Sequence, residues 1–279
     1  MSFSATAPAA GAGGRVAEPY RETAPTVRSS ASRMNRKFTI SARGKAPAMP
    51  IQMFMNRHFS DIPVAQIDSF FGFTTDKSTL YGGRIYGGTE ISAYDLKSMY
   101  GMGIGLRLPL TNHYASPAEY AASIPMLEKH HRPGNSIIVT NDDLARWIRR
   151  DFPEYRLEAS VIKNIDSLEK IDKASGIYDS IILPMSANED EAFLASIGNK
   201  DQITLFANAG CALTCPSKIC YPSISKANKT GDKSLFRCSQ QLKYRELLGM
   251  QDFDLEHLES LGFHRFKLLR ARAGNITGV

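Results

Sequence analysis

The chain has 279 residues, 43% apolar and 22% charged, which excludes a disordered or collagen-like polymer and suffices for one large α/β core. Lys plus Arg number 34 against 28 Asp plus Glu, a formal net charge of +6. Eight basic and two acidic residues fall within residues 1–50, so residues 51–279 are formally neutral and a body that grips nucleic acid through a basic fold is not supported.

Residues 1–50 are rich in Ala, Gly, Ser, Pro and Arg and poor in large apolar side chains before Phe38. Such a segment buries too little surface to offset its ordering entropy, so it reads as a disordered basic tail, with an organelle transit peptide as the alternative. Its charge suits weak, salt-sensitive binding of polyanions. No apolar run approaches the roughly 18 residues that a transmembrane helix needs, and there is no secretory h-region, so the expectation is a soluble cytoplasmic protein.

From residue 51 onward, strand-like and helix-like segments alternate. Residues 64–73 read as a strand, 90–103 as a helix, and 104–110 as a strand. A helix then opens at Ser116-Pro117, an N-cap with proline in first position. The unit recurs as strand 135–140, a helix over 143–151 capped by Asn141 or Asp142, strand 155–162, helix 164–175, strand 178–184, helix 188–197 and strand 203–208. An irregular cysteine-bearing stretch follows, then helices over 235–248 and 255–261 and a last strand over 263–269. Strands separated by single helices imply right-handed βαβ units and a parallel sheet. Seven strands and no GxGxxG turn favour a TIM-like (β/α) barrel over a doubly wound sheet, with one strand missing, irregular or supplied by residues 51–55. The domain reading is thus a tail over 1–50 and a barrel over 51–279, with a cysteine-rich loop at 209–238.

A barrel keeps its pocket at the carboxyl ends of its strands. Those ends carry Asp68, Thr111 with Asn112, Thr140 with Asn141, Glu158 with Ser160 and Lys163, and Asn208. Asn112, Asn141 and Asn208 are candidate substrate-binding residues, although Asn after a strand also serves as a cap or turn residue. Glu158 is a candidate general base, the alternative being an ion pair to another strand. Arg84, in the YGGRIYGG stretch, is the charge-bearing member of a glycine-rich loop that reads either as a lid over the pocket or as a plain turn. His130-His131 reads as a solvated helix end favoured by the dipole. Lys218, Lys226, Lys229, Lys233 and Arg237 make the cysteine loop basic: either a solvated surface, or charge that stabilises an anionic cluster or attracts an anionic substrate.

All four cysteines, Cys211, Cys215, Cys220 and Cys238, fall in one tenth of the chain. Disulfides disagree with the absence of a signal peptide. Zinc usually takes CxxC pairs, which are absent, whereas a [4Fe–4S] cluster takes four thiolates at looser spacing. Three readings stand: an iron–sulfur cluster, zinc, and reduced thiols without metal. The radical-SAM pattern CxxxCxxC fails because Lys218 occupies its third position.

The Asn-then-cysteine segment LFANAGCALTCPSKICY and the closing unit DLEHLESLGFHRFKLLRAR together resemble the collagenase-like peptidase family of uncertain catalytic type, over about residues 64–272. The resemblance implies a barrel core and cluster ligands at Cys211, Cys215, Cys220 and Cys238. It also implies kinship with enzymes of oxygen-independent ubiquinone hydroxylation and RNA hydroxylation. In the family's closing strand Phe-Lys-Ile-Glu-Gly-Arg, Phe266-Lys267 match, Leu269 replaces the Glu, and Arg270 comes one place early. No HExxH, GxSxG or Cys–His pair accompanies it, so peptidase chemistry is not expected. The expected function is an iron–sulfur protein modifying a small organic or nucleotide substrate, with Glu158, Lys267 and Arg84 as catalytic candidates. The alternative is a non-catalytic iron–sulfur or zinc-bearing scaffold beside a second barrel subunit.

Overall fold

The computed structural model describes residues 35–215, 217–240 and 250–269. Eight parallel strands close into a barrel: β1 (Lys37–Ser41), β2 (Ile67–Phe71), β3 (Gly105–Leu110), β4 (Ser136–Val139), β5 (Arg156–Ala159), β6 (Ser180–Ile182), β7 (Ile203–Phe206) and β10 (Arg265–Leu268). They follow chain order around the barrel, and β10 closes it against β1 through Lys37↔Arg265 to Ile40↔Leu268. Two short strands, β8 (Asn208–Ala209) and β9 (Gln251–Asp252), pair antiparallel above β7. The helices are α1 (Ile51–His58), α2 (Ala93–Gly101), α3 (Pro117–His130), α4 (Asp142–Asp151), α5 (Leu168–Ser175), α6 (Glu191–Ser196), α7 (Cys220–Thr230) and α8 (Leu255–Ser260). No helix among the described residues is long and apolar enough to cross a membrane.

Local chemistry starts these helices where polar residues follow strands. Ser116 and Glu119 form a capping box ahead of Pro117, Ser92 and Asp95 form another, and the Asn141 side chain accepts the Leu144 amide. Helix α5 begins at 168, later than its pattern suggests, because Asn164 adopts a left-handed φ of 50° and Ser167 is the cap. Strand β2 begins at Ile67 because Val64–Gln66 forms a 3-10 turn.

The eighth strand corrects the domain boundary. It is β1, inside the segment assigned to the tail, while residues 51–55 belong to helix α1. Phe38 and Ile40 are buried in the core between strands and helices, a two-residue alternation that the surrounding basic composition masks. Lys45 is buried in an ion pair with Asp95 at 2.8 Å, and Asp95 also accepts the Ile51 amide at 2.8 Å, anchoring the approach to α1. The reading of residues 1–34 as tail lies outside the described residues. A second correction concerns the cysteine stretch, which contains helix α7. Of the helix expected over 235–248, only 235–240 are described, and they hold the end of a 3-10 turn (Lys233–Leu235) and non-helical chain; the remainder, 241–248, lies outside the described residues.

Barrel interiors are usually filled by layers of branched apolar side chains. Here the amino-terminal half is a polar network. Arg107 Nε donates to Ser69 Oγ at 2.6 Å, its Nη2 reaches Asp68 at 2.6 Å, and its Nη1 pairs with Glu158. Ser180 donates to the same Glu158 oxygen at 3.2 Å, and Thr39 and Ser69 share a hydrogen bond of 3.1 Å. Above this network Phe71, Ile138, Ile182, Met185, Phe206 and Ala209 form a separate apolar cluster.

Candidate active site

The carboxyl ends of the strands enclose a cavity of about 110 Å³, open to solvent on one side. Apolar side chains including Phe71, Ile138, Met185 and Phe206 form most of its wall. Ser41, Thr111 and Ser160 contribute hydroxyls, and Arg43, Arg84 and Lys267 contribute charge. Two glycines shape the rim. A Cβ on Gly82 would lie 2.4 Å from the Thr111 backbone, so only glycine lets the 81–88 loop approach the end of β3; Gly83 adopts φ +76°. The loop is held against α7 by Asn228, whose Nδ2 donates to the Tyr81 carbonyl at 3.1 Å and to the Arg84 carbonyl at 2.9 Å. Arg84 pairs with Glu90 and stacks on Phe73 at 4.4 Å.

Lys267 rises from β10 into the floor of this cavity. Its Nζ lies 4.2 Å from the centre of the Phe71 ring, and among the described residues it has no hydrogen-bond acceptor. Burial pushes this amine down to about 8; Glu158 opposes the shift, and the positive charges of Arg107 and Arg84 add to it. Glu158 stands deeper, 1% exposed, and does not line the cavity; its Oε2 serves Arg107 and Ser180, while its Oε1 has no partner. The carboxylate therefore takes the ion-pair role weighed as its alternative, and the pair spans the barrel interior between β3 and β5.

The three asparagines do not line the cavity. Asn112 Nδ2 donates to the carbonyls of Thr79 and Ser225, both at 2.9 Å, binding the first βα loop to α7. Asn141 caps α4. Asn208 exchanges two hydrogen bonds with the Leu269 backbone, 2.8 and 2.9 Å, clasping β8 to the end of β10. His130 is also corrected: it is buried and hydrogen-bonded to Asp76 at 2.9 Å.

The cysteine loop lies over the same mouth. Ala212 and Tyr221, neighbours of Cys211 and Cys220, line the cavity. Cys211 is buried, the other three thiols are half-buried, and none of the four is in a disulfide. Burial pushes the Cys220 thiol up to about 11, and Cys238, Cys211 and Cys215 add to the rise because their negative charges lie within reach. Burial also works against ionising Cys215, but the Ser239 hydroxyl, 3.4 Å away, and the amides of Lys218 and Ser217 hold its thiol below the ordinary value. Lys218 adopts a left-handed φ of 45°. Thiolates are the donor type that an iron–sulfur cluster takes, and these four act on one another electrostatically. Among the described residues no three Cys, His, Asp or Glu side chains converge at metal-binding distance. Of the loop's cations, Lys229 pairs with Glu119 at 2.6 Å and Lys218 donates to Asn164 at 2.7 Å.

Arg107, Arg43 and Tyr221 escape a reading of the sequence. Arg107 alone carried a signal: a guanidinium in the otherwise apolar run GLRLPL needs a buried carboxylate.

No protein-family model and no curated protein matches the sequence. The fold is similar to that in "The Structure of the U32 Peptidase Mk0906", with a TM-score of 0.57 at 11% identity over 85% of this chain and 94% of that one. That barrel fits the resemblance to the collagenase-like peptidases; at this identity the likeness is one of fold.

Proposed function

We propose that the chain is an iron–sulfur protein that binds and modifies a small organic molecule in the barrel mouth. The observation that carries this reading is the shared wall: residues adjoining Cys211 and Cys220 line the cavity into which Lys267 projects. Cys211, Cys215, Cys220 and Cys238 would hold a [4Fe–4S] cluster, which when bound supplies one-electron chemistry. The chain's own part is to receive the substrate, exclude water with Phe71, Ile138 and Phe206, and hold a proton at Lys267 Nζ against a substrate oxygen. Arg107 and Glu158 act beneath as positioning residues for Lys267. Peptidase chemistry gains no support from the cavity: no histidine or carboxylate lines it, and Lys267 makes no hydrogen bond to its hydroxyls.

Anaerobic purification tests the reading. A brown protein absorbing broadly at about 400 nm, with about four iron and four sulfide per chain, is the expected result. Cys220→Ser should lose iron and colour while keeping the barrel's cooperative melting. A colourless protein with stoichiometric zinc overturns it.

A further inference from the structure

The described chain contains three buried cations, and they are treated differently. Lys45 has Asp95 at 2.8 Å, and Arg107 has Asp68 and Glu158. Lys267, 6% exposed, has neither a carboxylate nor another acceptor at hydrogen-bond distance among the described residues, and its Nζ lies 4.2 Å from the centre of the Phe71 ring. An ammonium that has no acceptor in its own chain and faces an open cavity takes its hydrogen bonds from outside the chain, from water or from a ligand that displaces it. The cavity favours a negative one. No Asp or Glu lines it, while Arg43, Arg84 and Lys267 do. The charges that act on Nζ are Glu158 from β5, Arg107 from β3 and Arg84 from the glycine loop; Arg107 is paired with Asp68 and Glu158 and Arg84 with Glu90, and Arg43 also lines the wall.

We propose that the cavity recognises a small carboxylate with an apolar body of about one ring, its carboxylate seated on the Lys267 ammonium. The proposal rests on reading the mouth as the substrate site. Size sets the body: about 110 Å³ is of the order of the roughly 150 Å³ that encloses benzene, too small for a peptide or a nucleotide inside the wall. Polarity sets the orientation, since Phe71, Ile138, Met185 and Phe206 offer the ring no hydrogen bond and Lys267 offers the carboxylate one. The acid–base behaviour of the same amine gives a signature. Nζ is charged below about pH 8, so carboxylate affinity should be full there and fall about tenfold per pH unit above it.

Calorimetric titration of the full-length chain with benzoate and with neutral benzamide tests this, on a preparation whose iron content is measured. Benzoate should bind at least about tenfold more tightly than benzamide, and Lys267→Met should erase that preference while melting cooperatively. The comparison of the two ligands on the unmodified chain stands even if the variant does not fold. Equal binding of the two, no benzoate binding at ~10 mM, or affinity that rises above pH 8 overturns the proposal. Cluster-bearing protein that ignores benzoate overturns it alone; benzoate binding by anaerobically purified protein that holds stoichiometric zinc and no iron leaves it standing and removes the iron–sulfur reading.

Discussion

The two halves of the barrel interior handle buried charge in opposite ways. In the amino-terminal half, burial disfavours the Arg107 guanidinium, yet Glu158 and Asp68 outweigh it and hold that group above its ordinary value. At the carboxyl-terminal mouth the same desolvation acts on Lys267, and the amine is left below its ordinary value. A charge satisfied within the chain is a matter of architecture, and a charge left for something else is a matter of function. That division agrees with the general behaviour of barrels, whose carboxyl ends carry function and whose other end carries stability.

The largest expected effect falls on both halves at once. Strand β1 contributes Thr39 to the polar network and Ser41 to the cavity, so deleting residues 1–50 should abolish the cooperative thermal transition, whereas deleting residues 1–34 should leave its midpoint unchanged. Equal behaviour of the two truncations would break the boundary drawn at β1. Next, Arg107→Met strands Glu158 and should cost about 3–5 kcal/mol in urea denaturation. The double substitution with Glu158→Met should recover most of that, because neither charge is then left buried alone.

The third prediction has the opposite sign. An amine held at about 8 in the folded chain against 10.5 when free destabilises the fold on the order of 3 kcal/mol at neutral pH. Lys267→Met should therefore raise stability as it removes carboxylate binding. The unfolded chain holds the proton more tightly, so the destabilisation is complete below about pH 8. It is relieved as pH rises from 8 towards 10.5, and the gap between the variant and the unmodified chain should close over that window. The smallest effect belongs to the outer surface. Lys173→Ala removes an i,i+4 pair with Glu169 whose side chains are 73% and 77% exposed, and the melting midpoint should move by less than the equivalent of about 0.5 kcal/mol.

What the sequence discloses follows the range of the forces involved. Strands β3, β4 and β7 and the caps at Ser116 and Asn141 rest on local alternation and local hydrogen bonds, so they are legible in a few residues. Strand β1 is not, because KFTIS is short and its pairing partners β2 and β10 lie far along the chain. Helix α7 is hidden for another reason: Ile219 supplies no side-chain cap, and Pro222 sits within the first turn. At the site, Lys267 and Arg84 line the cavity. Asn112, Asn141 and Asn208, equally conspicuous at strand ends, bind backbone instead, and nothing short of the tertiary contacts separates those two uses of a polar residue. Arg107 declares its need for a carboxylate but not which strand provides it.

Closure of the barrel by β10 against β1 also sets an order of events in time. Parallel pairing across nearly the whole described chain carries a large loop-closure entropy and belongs to the slow class of folding topologies. At roughly 5–20 residues per second, a ribosome takes on the order of ten seconds or more to deliver the last strand. Until then β1 and β7 keep bare edges, open to wrong partners. That strand also brings Lys267, so a nascent chain cannot offer its binding cation before the barrel it completes is able to shut.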